Sequence, residues 1–488
     1  MSAVNRELKQ YQLYIDGEFR NASSSEMVAV TNPATEELIS EVPNATREDV
    51  CDAIHAAEKA QLLWEKLPAI ERAGYLRKIS AEIRKDVPRL AKTISEEVGK
   101  TIGLAEVEVN FTADYIDYMA EWARRYEGEI IQSDRPNENI FLYKKPIGVT
   151  TGILPWNFPF FLIARKVAPA LVTGNTSVIK PSNESPNNAM LFAEIVHRIG
   201  LPKGVFNLVT GSGSVVGDEL ARNPKVGFVS ITGSYNAGSS VMRAAADNIT
   251  KVSLELGGKA PAIVMGDADI DLAVESIVAS RVINTGQVCN CAERVYVHKS
   301  IEKEFIEKAI QKMEETKFGN PLVNKDIDMG PLINKSAVES VNQMVKTAVE
   351  EGAVIATGGK PVKGQGYHYE PTVITNAKNG MKIMHDEIFG PVLPIATFET
   401  LDEAIELAND CEYGLTSSLY TQNLDVAMRV SNELKFGETY INRENFESMQ
   451  GFHAGWKKSG IGGADGKHGL EEYLQTRVVY LQYDTNKQ

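Results

Sequence analysis

Apolar and polar positions alternate differently along three parts of this chain. The first part opens with a short strand pair: Leu13-Tyr14-Ile15-Asp16-Gly17-Glu18-Phe19 reads as a hairpin turning at Asp-Gly. Thr46 with Asp49 resembles a capping box, and Val50, Ile54, Ala57 and Leu63 keep helical spacing to about residue 67. Helical patterns follow over about 70–95 and 100–127. The second carries Val107, Phe111, Tyr115, Ile116, Met119 and Trp122 on one side, a stripe that reads as core or subunit contact. Ile140–Tyr143 precedes Pro146 and suits a strand outside the main sheet.

A regular alternation begins at Gly148. Apolar strand patterns at 148–154, 176–180, 205–209, 226–231 and 251–256 are separated by helical patterns at 160–172, 187–199, a short one ending at 221, and 237–246. Short apolar strands alternating with helices predict a parallel sheet covered on both faces, the doubly wound arrangement that binds nucleotides at its strand ends. A second block places strands at 261–264, 294–298, 371–375 and 392–397. Its helices are expected at 270–284, 300–317, 336–351, 401–408 and 423–435. Thr476–Leu481 begins an isolated strand pattern whose apolar positions invite pairing with another subunit.

A chain of 488 residues exceeds one compact core, so two or three domains are expected. The formal charge of -14, with no basic run, excludes a phosphate backbone as partner. Cys51, Cys289, Cys291 and Cys411 are too few and scattered for a disulfide framework, and seven histidines show no metal-ligand spacing. No signal-peptide core and no 18-residue apolar run occurs, so a cytoplasmic protein without a membrane partner is expected.

Several short stretches carry candidate chemistry. In Asn284-Thr285-Gly286-Gln287-Val288-Cys289 a cysteine follows an apolar helical pattern. It reads either as a nucleophile on a pocket floor or as a small buried hydrophobe. Gly211–Gly217 nearly fits a dinucleotide fingerprint but is one residue too long, and a turn opening a helix explains it. Thr232-Gly233-Ser234 opens a helix where a pyrophosphate fits, as an ordinary cap also does. Lys180-Pro181 closes a strand, where a lysine can reach ribose hydroxyls or simply be solvated. Glu255 lies between Leu254 and Leu256; apolar company raises a carboxyl pKa, which suits a general base, while a strand-end glutamate can equally point to water. Asn157, inside Pro155-Trp156-Asn157-Phe158-Pro159, can donate to an oxyanion or belong to a packing turn. The glycines at 460, 462, 463 and 466 read as a loop.

Taken together, these strings resemble the aldehyde dehydrogenase superfamily over nearly the whole chain. The match includes PWNFP (155–159), TGN (173–175), Lys180-Pro181, TGS (232–234), LELGGKAP (254–261), NTGQVC (284–289), EIFGPV (387–392), YGL (413–415) and SGIG (459–462). Two long strings, 111–136 and 439–460, look most like the bacterial lactaldehyde and glycolaldehyde dehydrogenases.

The resemblance implies an α/β fold of aldehyde dehydrogenase type. A Rossmann-like NAD-binding domain would span 1–126 and 147–256, and an α/β catalytic domain 257–468. A β oligomerisation arm would comprise 127–146 and 469–488 of a homo-oligomer, dimer or tetramer. It implies that Cys289 attacks the aldehyde, with Cys291 in second line. Asn157 and the Cys289 N–H would stabilise the oxyanion, Glu255 would activate water against the thioester, and Lys166 would relay protons behind it. Lys180 would hold the adenosine ribose beside Ser182 and Asn183, and Ser234 the diphosphate between Gly233 and Gly238. Glu387 would hold the nicotinamide ribose, with Phe389, Ile153, Pro155, Trp156 and Leu256 along the cofactor.

Two departures from the family pattern stand out. The family usually has glutamate three residues after this lysine; Asn183 stands here, with Glu184 next, and a neutral amide repels a 2′-phosphate less, so the expectation is NAD preferred with NADP as a weaker alternative. Where the family usually reads Pro-Phe-Gly-Gly, this chain reads Phe452-His453-Ala454-Gly455. His453, with Asn290 and Glu447, would contact the hydroxyl of a small hydroxyaldehyde substrate, or His453 would cap its loop. A nitrilase-like hydrolase using Cys, Glu and Lys is the alternative from another class, and it would need no nucleotide.

Overall fold

A computed structural model describes residues 8–485; residues 1–7 and 486–488, the ends of the expected cofactor domain and arm, lie outside the described residues. The first α/β block forms an eight-stranded sheet. Its spatial order is Gly460–Ile461, Lys251–Glu255, Val226–Thr232, Val149–Ile153, Thr176–Lys180, Phe206–Leu208, Leu13–Ile15 and Glu18–Arg20. The five inner strands run parallel, and the N-terminal hairpin closes one edge antiparallel. Every residue of Val149–Ile153 and Thr176–Lys180 is buried, as expected of strands covered on both faces.

The other edge differs from the sequence expectation. Gly460–Ile461, expected in a loop, pairs with Leu254 and Glu255. Gly460 has φ 155°, and a Cβ there would stand 2.0 Å from the Leu254 carbonyl oxygen, so only glycine lets the strands approach. The helix expected over 70–95 is two helices, Ala69–Lys85 and Val87–Val98, broken at Asp86 because Pro88 occupies the first turn of the second. The capping box at Thr46 and Asp49 is present on Arg47–Trp64.

The second block forms a seven-stranded sheet. Its order is Val354–Thr357, Thr372–Thr375, Val392–Phe398, Ala292–His298, Ala260–Val264, Thr416–Tyr420 and Glu438–Ile441. The last two strands escape the pattern because Thr416–Tyr420 is fully buried yet begins Thr-Ser-Ser. Its Ser417 hydroxyl pairs with Thr439 and the Glu438 carbonyl across the ladder.

A third sheet joins Glu129–Gln132, Glu138–Pro146 and Leu474–Gln482, the last two paired antiparallel from Leu474 opposite Pro146 to Gln482 opposite Glu138. The two strand patterns expected outside the main sheets therefore pair with each other. Ile130, Ile131, Tyr143, Val478, Tyr480 and Leu481 are exposed on it. Among the described residues no helix is long and apolar enough to cross a membrane, and no cluster of His, Cys, Asp and Glu is arranged to hold a metal ion.

Candidate active site

The carboxyl ends of the parallel strands in the first sheet meet mainly the amino ends of those in the second at one cavity of about 350 Å³. The first sheet delivers Thr232, Gly233 and Glu255, with Pro155, Trp156 and Asn157 on the loop after Val149–Ile153. The second sheet and its loops deliver Cys289, Asn290, Glu387, Phe389, Asn445, Phe446, Glu447 and His453.

Cys289 reaches the cavity through a sharp turn. The helix Ile270–Val282 ends in three successive residues with positive φ: Asn284 at 45°, Thr285 at 61° and Gly286 at 74°. A β-branched residue such as Thr285 rarely adopts this backbone, so the surroundings must hold it there. They do so through several bonds. Arg281 donates to the carbonyls of Gly286 and Ala292, and Thr285 Oγ1 donates to the Gly330 carbonyl at 3.0 Å. Gln287 Oε1 accepts from the Ile333 N–H at 2.9 Å. The result leaves Cys289 partly exposed on the cavity wall, whereas Cys291 is buried with Sγ 2.9 Å from the Val288 carbonyl. Burial pushes the Cys291 thiol up to about 12, so it cannot serve as a thiolate near neutral pH.

Asn157 Nδ2 donates to the Gln287 carbonyl at 3.0 Å, and the Asn157 carbonyl accepts from Asn284 Nδ2 at 3.2 Å, so the two loops are tied together. The helix after this loop, Pro159–Thr173, is anchored by Glu108, whose Oε1 accepts from the N–H groups of Phe160 and Phe161 at 2.9 and 3.1 Å. Lys100 Nζ pairs with the other oxygen of Glu108 in full burial, and the same ammonium lies 3.4 Å from the centroid of the Phe158 ring.

The expectation for Glu255 is corrected. Its neighbours in sequence are apolar, but Lys166 Nζ donates to its Oε1 at 2.8 Å, Thr232 Oγ1 to its Oε2 at 3.0 Å, and Arg165 lies 3.6 Å away. Burial alone would raise this carboxyl; Lys166 and Arg165 outweigh burial and hold it down at about 2. Both cations project from the Pro159–Thr173 helix, far away in sequence, which is why local composition misled.

Arg165 itself was invisible to sequence reasoning, because it sits inside the apolar run Phe160–Val172. It binds Asp465 through Nε at 3.1 Å and Nη2 at 2.7 Å, and Glu447 through Nη2 at 2.9 Å. Asn290 Nδ2 donates to the other oxygen of Glu447. His453 is buried, its Nδ1 2.5 Å from Glu438 Oε1, and Tyr440 donates its hydroxyl proton to the second oxygen of Glu438. Asn290, Glu447 and His453 thus stand together beside Cys289. Phe111 packs on Phe161 and Phe446, with ring centroids 4.9 and 5.7 Å apart, and the three rings line the same cavity.

Of the residues expected on the nucleotide side, Pro155, Trp156, Gly233, Ser234, Leu256, Glu387 and Phe389 line the cavity, whereas Ile153, Lys180, Ser182, Asn183 and Gly238 lie outside its lining. Ser234 caps the helix Tyr235–Ala246, accepting from the Ala237 N–H at 3.3 Å. A Cβ at Gly238 would meet Leu256 Cδ2 at 2.5 Å, so this helix packs tightly on the end of the strand bearing Glu255. Lys180 is buried, donates to the Pro181 carbonyl at 3.0 Å, and is pulled to about 8 by burial. On the same strap, which also carries Ser182, Asn183 Oδ1 is buried without a hydrogen-bond partner. Glu387 accepts from the Gly258 N–H at 2.9 Å, and burial lifts its carboxyl to about 7. Phe389 meets Trp156 edge-on with centroids 5.6 Å apart. Ile153 lies buried below the rim. Glu293, paired with Lys259 and Arg281, also accepts from the N–H groups of Ile388 and Phe389, linking the Cys289 turn to the Glu387 strap.

These features fit a dinucleotide. A buried ammonium and an orphaned amide oxygen suit ribose hydroxyls, a capped helix start suits a diphosphate, and the slot between Trp156, Phe389 and Leu256 suits a flat ring.

Comparison with known proteins agrees with this geometry. The sequence model of the aldehyde dehydrogenase family matches residues 19–479. The lactaldehyde dehydrogenase of Escherichia coli is 66% identical over 473 residues, 97% of this chain and 99% of that one. Its crystal structure superposes with a TM-score of 0.97, covering 98% of this chain and 100% of that one. A D-glyceraldehyde dehydrogenase (NADP(+)) of Picrophilus torridus is 40% identical over 477 residues, 97% of this chain and 96% of its own. The Staphylococcus aureus betaine aldehyde dehydrogenase, solved in complex with NAD+, is 37% identical with a TM-score of 0.95, over 98% of this chain and 96% of that one.

Proposed function

The chain belongs to the aldehyde dehydrogenase family and oxidises a small aldehyde with NAD; we propose that its substrates are short 2-hydroxyaldehydes, lactaldehyde and glycolaldehyde foremost. The observation that carries this reading is the polar trio of Asn290, Glu447 and His453 beside Cys289, faced by the aromatic wall of Phe111, Phe161 and Phe446. Arg165 and Asn290 each occupy one Glu447 oxygen, leaving lone pairs for a substrate hydroxyl, while the His453 ring can donate to it. The nitrilase-like alternative is not favoured, since the family match and the nucleotide-side surface both speak against it.

Nicotinamide dinucleotide, when bound, supplies the acceptor for the electrons removed from the substrate carbon. The chain's own residues do the rest. Cys289 Sγ forms the bond to the carbonyl carbon, and the displaced π pair settles on oxygen. There the second N–H of Asn157 Nδ2 and the Cys289 backbone N–H receive it. After oxidation the acyl group remains on Sγ as a thioester. Glu255 takes a proton from water as the water oxygen attacks, and Sγ departs as thiolate with release of the carboxylic acid. A carboxylate held at about 2 is a weak base, so Glu255 acts once its pair with Lys166 opens, Lys166 then passing protons behind it.

On the nucleotide side the roles are as the resemblance implies. Lys180, Ser182 and Asn183 hold the adenosine ribose, Gly233, Ser234 and Gly238 the diphosphate, and Glu387 the nicotinamide ribose. Ile153, Pro155, Trp156, Leu256 and Phe389 line the cofactor. NAD is preferred, and the neutral amide at 183, which repels a 2′-phosphate less than a glutamate would, lets NADP be used measurably. The cofactor domain comprises 1–126 with 147–256, the catalytic domain 257–468, and the exposed third sheet is the arm of a homo-oligomer. Four free cysteines suit a reducing, cytoplasmic address.

The test is substrate selectivity. His453→Phe should lower kcat/KM for lactaldehyde about tenfold or more beyond its effect on propanal. Equal losses with both aldehydes would remove the hydroxyl contact.

A further inference from the structure

Glu293 lies at the start of the strand Ala292–His298, and the ladder slips at it: Ala260 pairs with Ala292, but Pro261 pairs with Arg294. An extra residue of this kind re-aims a side chain, and here the carboxylate turns into the interior. Donors meet both of its oxygens there. Oε1 accepts from Arg281 Nη1 at 2.7 Å and from the Phe389 N–H at 3.2 Å. Oε2 accepts from Lys259 Nζ at 2.8 Å and from the Ile388 N–H at 2.9 Å. Burial opposes ionisation, but Arg281 and Lys259 outweigh it and hold Glu293 below the usual carboxylate range. With two donors on each oxygen, its acceptor capacity is spent inside the protein.

These donors come from segments that the chemistry needs in register. Arg281 holds the Cys289 turn, since it also donates to the Gly286 carbonyl. Lys259 follows Gly257-Gly258, the stretch after Glu255, and Ile388 and Phe389 belong to the strap that bears Glu387. The backbones of these segments touch. A Cβ at Gly286 would stand 2.3 Å from the Gly390 carbonyl oxygen, and one at Gly258 2.6 Å from that of Cys289. Phe389 has φ 53°, a backbone that a bulky residue keeps only where its surroundings fix it. The bond from its N–H to Glu293 is part of that hold.

We propose that Glu293 is the positioning residue that sets the nucleophile turn of Cys289 against the nicotinamide strap of Glu387 and Phe389. The inference rests on reading Cys289 as the nucleophile and Glu387 and Phe389 as cofactor ligands. Glu293 itself does not line the cavity, so it acts through the segments it binds. Glu293→Gln leaves one oxygen where two are needed and turns its NH₂ toward a pair of donors. Turn and strap then lose their common anchor. A misplacement of about 1 Å between reacting groups costs about 10²-fold in rate.

The test uses Glu293→Gln, with Glu293→Asp as the milder change that keeps the charge, and thermal melting to verify folding. One reading is the dissociation constant for NAD, from quenching of protein fluorescence. The other is the first-turnover rate of nicotinamide reduction at saturating NAD and aldehyde, its slowing by deuterium at the aldehyde C1 verifying the step. Neither depends on how much of the sample is active. In Glu293→Gln the dissociation constant should rise and the first-turnover rate fall, each about tenfold or more. Glu293→Asp should move both in the same direction by less. A wild-type value for either quantity in folded Glu293→Gln overturns the proposal. Should that variant fail to fold, a wild-type value in Glu293→Asp overturns it equally. Glu387→Gln and Cys289→Ser, run alongside, keep the readings apart. Undiminished NAD binding in the first, or nicotinamide reduction in the second, would fault the site assignment on which the proposal rests.

Discussion

Lys166 Nζ donates to Glu255 Oε1 at 2.8 Å, and both side chains are buried. This pairing turns the carboxylate that the sequence suggests as a ready base into one held at about 2. Removing the ammonium in Lys166→Met should cost about 3 kcal/mol at neutral pH, the order expected when a buried pair loses one partner. The pH dependence has a definite sign. The folded pKa of Glu255 lies below its unfolded value, so the pair's stabilisation is complete above about pH 4.3 and is lost as pH falls toward 2. The melting-temperature gap between wild type and variant should therefore narrow on acidification. A gap that widens would contradict the assignment.

Asn183 carries a buried amide oxygen with no partner on the strap beyond Lys180. Asn183→Glu places an anionic group where a 2′-phosphate would approach. The ratio of kcat/KM for NAD over NADP should rise about tenfold or more, chiefly through KM for NADP. Wild-type enzyme that favours NADP or uses both cofactors equally would refute the preference proposed for this site.

Glu108 joins stability to the oxyanion loop. Glu108→Ala leaves Lys100 buried without its carboxylate and strips the first turn of Pro159–Thr173 of its acceptor. Chemical denaturation should report a loss of about 3–5 kcal/mol. Glu108→Gln, which keeps an acceptor, should lose less. Equal losses would mean that the helix cap contributes nothing.

The third sheet exposes Val478, Tyr480 and Leu481 on the strand paired along the length of Glu138–Pro146. As an oligomerisation arm it should bury these residues between subunits. Tyr480→Glu with Leu481→Glu should shift the protein to smaller species in sedimentation, without loss of the folded signal. An unchanged sedimentation coefficient would place the subunit contact elsewhere.

How much of this was legible in the sequence depends on how local the signal was. The βα rhythm and the two strands outside the main sheets were readable from strict periods and short apolar runs, and the convergence of Cys289, Glu255 and Asn157 was readable through the family resemblance that their strings carry together. Arg165 was not, because a single arginine inside an apolar helix looks like an exposed exception. Its partners Glu447 and Asp465 come from 282 and 300 residues away. The Glu255 environment failed for the same reason, since its neighbours in sequence are leucines and its neighbours in space are cations. Gly460–Ile461 was read as a loop because a two-residue edge strand has no period to detect. Local pattern reveals elements and motifs; charge balance in the buried site arises only when distant segments meet.

The central claim is that the Cys289 thiol performs the oxidation of a small aldehyde. It is tested most directly by nicotinamide reduction, followed by absorbance with lactaldehyde and NAD, in Cys289→Ser and Cys291→Ser side by side. Cys289→Ser should lose activity by about 10³-fold or more, while Cys291→Ser retains it within about tenfold. Activity that survives in the first variant and vanishes in the second would contradict the account.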